Sequence, residues 1–134
     1  MIAPQNIERD ILNDCLFSQV IVLGDKRNFI IALIVPNRDQ LTSLALEHGI
    51  KKSWDELIQL PEIYRLVAER LRLIVANYPP FEQIKYFALL TKELTQESGE
   101  LTPTLKIKRK VVQEKYQSVI DQLYDQNPAM NSVF

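Results

Sequence analysis

A chain of 134 residues, 46% hydrophobic and 25% charged, has the make-up of one globular domain long enough to bury a core. Its net charge of −1 gives no global attraction to nucleic acid, so any anion recognition must be local and no nucleic-acid partner is expected. The single cysteine, Cys15, excludes an internal disulfide and a cysteine-based zinc cluster, and the apolar run at 29–35 is too short to cross a bilayer.

Residues 1–4 lead almost directly into a helical pattern, an opening that reads as a cut inside a longer protein. Ile7, Ile11, Leu12 and Cys15 share one face at helical spacing, which assigns Cys15 to the core rather than to a nucleophile's role. Pro4 suits a first helical turn. Two strands are expected at 17–23 and 29–35, the second apolar throughout and therefore covered on both faces. The polar, glycine-containing stretch 24–28 between them suggests an antiparallel hairpin.

Pro36 closes the second strand. Asn37 with Gln40, and Ser53 with Glu56, form capping patterns, and Gly49 is a helix stop. Pro61 opens a longer helix with Ile63, Val67, Leu71, Ile74 and Tyr78 on its apolar stripe, ended by Pro79-Pro80. A third strand is expected at 84–90, a long polar loop at 91–105, and a final helix carrying Ile107, Val111, Tyr116, Val119, Ile120 and Leu123. Residues 127–134 read as a loose tail. The sum is an α+β fold: a small, mostly antiparallel sheet of about three strands covered by helices.

Chemistry-bearing constellations are scarce. His48, beside Gly49, fits a helix C-terminus, where a histidine is favourably placed against the dipole. No Ser/His/acid spacing and no Walker-type loop is present. Tyr86 and Phe87 are explained by a buried strand. The loop and helix start at 95–110 stand out, because Lys106, Lys108, Arg109 and Lys110 gather where a helix is expected to begin. Cations there oppose the macrodipole, a local conflict of the kind found at functional sites. A lysine beside exposed helix N–H groups would attract phosphate or carboxylate. A solvated turn and charged helix face remains the plain alternative.

The run Gly99-Glu100-Leu101-Thr102-Pro103-Thr104-Leu105-Lys106-Ile107-Lys108-Arg109-Lys110 resembles the C-terminal lysine motif of adenylate-forming enzymes. The form L-T-P-T-L-K-x-K-R is that of long-chain acyl-CoA synthetases. Ile2, Ala3, Pro4, Gln5, Asn6, Ile7 and Glu8 match the second half of G-x-x-I-x-P-x-x-I-E, the motif that opens the family's small C-terminal domain. Residues 20–27 and 32–37 look like the synthetase pattern between the two, so the similarity spans the chain in register.

The resemblance implies that 1–126 is the mobile C-terminal domain of a long-chain fatty-acid–CoA ligase, with the large N-terminal domain absent and 127–134 a tail. It implies that Lys106 is the adenylation lysine, contacting the acyl carboxylate and the α-phosphate of ATP. Gly99, Thr102, Pro103, Thr104, Lys108 and Arg109 would support the loop or contact phosphate. Ala3 and Pro4 would lie on the side that shapes the pantetheine channel once the domain rotates for thioester formation. The full enzyme would use fatty acid, ATP, CoA and Mg2+ and would partner this domain with its own N-terminal domain. The isolated domain is expected to be inactive, with no metal site and no bound cofactor. A cytoplasmic location, with or without peripheral membrane association, is expected. Another adenylating enzyme (for acyl carrier protein or an aryl acid) and a non-catalytic phosphate- or protein-binding module remain open alternatives.

Overall fold

The structure, a computed structural model, describes residues 3–24 and 27–134. Ile2 of the opening motif and Asp25 and Lys26 of the predicted hairpin connection lie outside the described residues. Helix α1 (Pro4–Leu12) starts on a proline, whose missing N–H is no loss in a first turn. Strands β1 (Phe17–Leu23) and β2 (Ile30–Pro36) pair antiparallel, with Val20 opposite Ile34 and Val22 opposite Ala32. Helices α2 (Arg38–Glu47), α3 (Trp54–Leu57) and α4 (Pro61–Val75) follow, then β3 (Ile84–Leu89). The predicted caps hold: Asn37 Oδ1 accepts the Gln40 N–H at 3.0 Å, and Ser53 Oγ accepts that of Glu56 at 3.4 Å.

The sheet order is β1-β2-β3, and β3 runs parallel to β2. The sheet is therefore mixed rather than mostly antiparallel. The reason lies in the connection: three helices between β2 and β3 return the chain to the end from which β2 started, and such a crossover yields a parallel pair. The α+β class and the three strands stand as expected.

Strand alternation builds two cores from one sheet. Val20, Val22, Ala32, Ile34, Ile84 and Phe87 face α1–α4. Ile21, Leu23, Ile31, Leu33 and Ala88 face the other way, against Leu94, Leu101, Val112, Ile120 and Leu123. Every residue of β2 is buried, as its unbroken apolar run requires. The second layer is formed by α5 (Arg109–Lys115) and α6 (Gln117–Asp125). They replace the single predicted helix, because Tyr116 leaves helical geometry at φ −106° and ψ 24°.

Two further expectations are corrected. Cys15 is exposed rather than buried. The helix stops at Leu12, and Asp14 then accepts the Leu16 N–H at 2.9 Å while holding Arg70 at 2.8 Å, so Cys15 lies in a turn into β1. Residues 127–134 are not a loose tail. Val133 is fully buried and its N–H bonds to the Lys85 carbonyl at 2.9 Å, while Asn131 Nδ2 donates to the Phe87 carbonyl at 2.8 Å. The segment covers the outer edge of β3, an edge that would otherwise expose unpaired backbone.

Candidate functional site

The polar stretch after β3 is a frame tied by hydrogen bonds. Gln19 on β1 clasps the backbone of Leu94, donating to its carbonyl at 3.0 Å and accepting its N–H at 2.7 Å. Thr95 and Ser98 then close a turn through paired hydroxyl and N–H contacts, with Gly99 at φ +81° making the exit that glycine allows. A small hairpin follows. Leu101 bridges Ile107, the Lys108 N–H reaches the Glu100 carbonyl at 2.8 Å, and the Thr102 N–H reaches the Lys106 carbonyl at 2.8 Å.

The predicted loop residues have distinct jobs in this hairpin. Thr102 Oγ1 accepts the Lys106 N–H at 3.0 Å, and the Thr104 hydroxyl lies 3.2 Å from it. Gln96 Nε2 donates to the carbonyls of Thr102 and Pro103, at 3.2 and 3.0 Å. Pro103 and Thr104 form the turn. Leu105 sits at φ +65°, a left-handed conformation unusual for a leucine, and the residue is 68% exposed. The residue after it is Lys106, exposed and with no carboxylate partner among the described residues.

The other cations of the run behave differently. Lys108 is exposed and is the residue before α5. Arg109 turns inward: Nη2 donates to both carboxylate oxygens of Glu8, at 2.6 and 2.7 Å, and Nη1 donates to the Val22 carbonyl at 3.0 Å. Glu8 in turn accepts the Val22 N–H at 2.7 Å. Val22 lies on an edge strand, so this ion pair satisfies both of its outward backbone groups and ties α1 to α5 across the rim of the sheet. The dipole conflict at the helix start is thereby eased, since the Glu8 carboxylate lies beside the first residue of α5.

Ala3 is the residue before α1, and its carbonyl accepts the Asn6 N–H at 3.0 Å. Pro4 lines a groove of about 570 Å³ together with Gln5, Arg27, Arg109, Gln113 and Tyr124. Pro4 and Arg109 thus share one groove, whereas Gly99, Thr102, Pro103, Thr104, Lys106 and Lys108 do not line it.

Sequence reasoning missed Glu100, Lys115, Gln19 and Glu8 as parts of this frame. Glu100 and Glu8 both stand inside the quoted motifs, but nothing local shows that Glu8 meets Arg109, 101 positions away. Glu100 is 1% exposed. Burial pushes its carboxyl pKa up, but hydrogen bonds from Ser98, Lys115 and the Thr95 N–H outweigh that and hold it below the usual carboxylate range. The same contact raises the Lys115 ammonium.

The fold and frame are those of the small C-terminal domain of adenylate-forming enzymes. A family model described as the AMP-binding enzyme C-terminal domain matches residues 1–128, and the chain belongs to that family. Long-chain-fatty-acid–CoA ligase 5 of Mus musculus is 35% identical over 127 residues, covering 92% of this chain and 19% of the relative. Long-chain-fatty-acid–CoA ligase 1 of Homo sapiens is 32% identical over 126 residues, covering 92% of this chain and 18% of the relative. The chain therefore spans about a fifth of the length of these relatives. Among solved structures, the A-PCP didomain of carboxylic acid reductase from Segniliparus rugosus, in complex with AMP, matches with a TM-score of 0.73 at 21% identity, over 92% of this chain and 16% of that one. The adenylation domain of a carboxylate reductase from Mycobacterium chelonae matches with a TM-score of 0.69 at 23% identity, over 90% of this chain and 17% of that one. At these identities the likeness is one of fold.

Proposed function

We propose that this domain is the mobile C-terminal lid of a long-chain fatty-acid–CoA ligase and that Lys106 is its adenylation lysine. The observation that carries the reading is the contrast within one motif. Lys106 is exposed beyond a strained residue on a hydrogen-bonded hairpin, while Arg109 is committed to Glu8. The names of the relatives support the ligase class.

The chemistry asks for such a cation. A fatty-acid carboxylate oxygen forms a bond to the α-phosphorus of ATP, and the bond to pyrophosphate breaks. Two anions must approach, and negative charge grows on the phosphoryl oxygens. A compact, long-reaching ammonium held between them lowers both barriers. CoA thiolate then attacks the acyl-AMP carbonyl and AMP leaves. For that step the lid rotates, taking Lys106 away and bringing the Pro4 side toward the pantetheine arm. In this reading Mg2+ would be held with ATP by the large domain.

The test is Lys106→Ala in the enzyme that carries this domain. Acyl-AMP formation should fall about a hundredfold to a thousandfold, corresponding to about 3–4 kcal/mol. Thioester formation from preformed acyl-AMP and CoA should stay near the parent rate. Equal loss in both half-reactions would assign Lys106 to folding or docking instead. Aryl acid preference over palmitate would move the domain to another adenylating enzyme.

A further inference from the structure

Among the described residues, one polar or charged side chain is buried, that of Glu100. It stands immediately before the hairpin that carries Lys106, and three structural parts converge on it. Oε1 accepts the Ser98 hydroxyl and, at 3.3 Å, the Thr95 N–H. Oε2 lies 3.0 Å from Lys115 Nζ at the end of α5. The backbone of the same residue receives the Lys108 N–H and donates to the Thr95 carbonyl at 3.0 Å. The 95–98 turn, the base of the hairpin and α5 are thus joined through one carboxylate.

Stability alone does not account for a charge in this place. The Glu100 carboxylate is buried while its Lys115 partner is exposed, so burying that charge costs desolvation that a solvent-screened ammonium offsets only in part, and an apolar side chain of similar volume often serves stability as well or better. A directional, fixed contact is what the carboxylate adds. The hairpin acts as a lever: about three residues separate its base from its tip, roughly 10 Å of strand. A tilt of about 10° at the base would displace the tip by roughly 2 Å, and a displacement of about 1 Å is enough to cost on the order of a hundredfold in rate.

We propose that Glu100, held by Lys115 and Ser98, is a positioning residue that fixes the base of the 101–107 hairpin and so aims the Lys106 amine. The inference rests on the reading of Lys106 given above. Glu100 touches no substrate; it acts through the hairpin.

The test uses Glu100→Gln, Lys115→Met and the double variant Glu100→Gln/Lys115→Glu in the full enzyme, with Lys106→Ala alongside. Glutamine keeps the shape and still accepts from Ser98, but turns an amide donor toward the Lys115 ammonium. Glu100→Gln should slow acyl-AMP formation about tenfold to a hundredfold and leave thioester formation from preformed acyl-AMP within about twofold. Lys115→Met, altered at an exposed position, should move the same step in the same direction. The double variant should recover most of the loss, because the amide then faces a carboxylate. In the 134-residue chain itself, amide hydrogen exchange at Thr102, Lys106 and Lys108 should accelerate in Glu100→Gln. Parent-like adenylation, equal slowing of both half-reactions, or unchanged exchange would overturn the inference. If Lys106→Ala slows adenylation while Glu100→Gln does not, the positioning role fails and the lysine's role stands. If Lys106→Ala leaves adenylation intact, the reading of Lys106 falls and this inference falls with it.

Discussion

Arg109 was a candidate for phosphate contact in the sequence, and the structure gives it other work that can be measured. Replacing Arg109 by Met keeps most of the apolar stem and removes the guanidinium. Three hydrogen bonds go: two from Nη2 to Glu8 and one from Nη1 to Val22. The Glu8 carboxylate, only 12% exposed, is left with the Val22 N–H as its remaining donor. Orphaning one partner of a buried pair costs about 3–5 kcal/mol. The guanidinium side is 32% exposed, so solvent screening lowers that to about 2–3 kcal/mol. For a domain of this size the loss corresponds to a fall in Tm of about 10 °C. Urea and thermal unfolding of the 134-residue chain would read it directly. Most of the difference should persist in 1 M NaCl, roughly the concentration at which exposed pairs are screened within a few ångströms. Glu8→Gln should cost less, and the double variant should fall short of the sum of the singles by about 1–2 kcal/mol, the signature of direct coupling. If Arg109→Met unfolds within about 0.5 kcal/mol of the parent, the clamp across the edge of β1 contributes nothing and Arg109 is free to meet an anionic ligand.

Three other outcomes follow from the same geometry. At Leu105, Gly should be tolerated within about 1 kcal/mol, because relief of left-handed strain offsets the greater flexibility of the unfolded chain, whereas Val should cost at least about 1 kcal/mol more; denaturant midpoints decide it. Deleting 127–134 removes the buried Val133 and the bonds on β3, and should cost about 3 kcal/mol in the same assay. The Tyr78 phenol is pushed up to about 12, chiefly by its hydrogen bond to Asp10, and the Tyr124 phenol is pushed up to about 12 by burial. Their stabilisation is complete below the unfolded tyrosine value of about 10 and is lost as pH rises through about 12. Stability should therefore decline across that window, and Tyr124→Phe should shallow the decline.

What the sequence made legible was whatever is written locally. The unbroken apolar run of β2 and the Asn37 and Ser53 caps each carry their own signal, and each lies where the sequence places it. The parallel pairing of β3 was not legible, since it depends on the path of three intervening helices. The burial of Val133 was hidden by a polar, proline-containing setting that reads as tail; only the free edge of β3 gives that valine somewhere to go. Cys15 keeps helical spacing with Ile7 and Ile11, but the helix ends at Leu12 and Asp14 bends the chain before the cysteine can reach the core. In the candidate site the motif named Lys106 and its near supports, Thr102 among them, but not the contacts of Gln19 and Glu8, which reach the frame from the far end of the chain.

Lys106 differs from the cations that follow it in what surrounds it. The conflict between four cations and a helix dipole is smaller than the sequence implies, although Lys108 and Lys110 still stand at the helix start. The helix begins at Arg109, a carboxylate meets that residue, and Lys106 belongs to the hairpin before it. What remains is a concentration of costs around one exposed amine: a leucine in left-handed geometry next to it and a buried glutamate at the hairpin's base. Each costs something that a domain built only for stability would avoid. The leucine lies within the hairpin that carries Lys106, and the glutamate immediately precedes it. A solvated lysine on an ordinary turn needs no such frame; the proposed role, meeting a phosphate on another domain and then withdrawing, would need one.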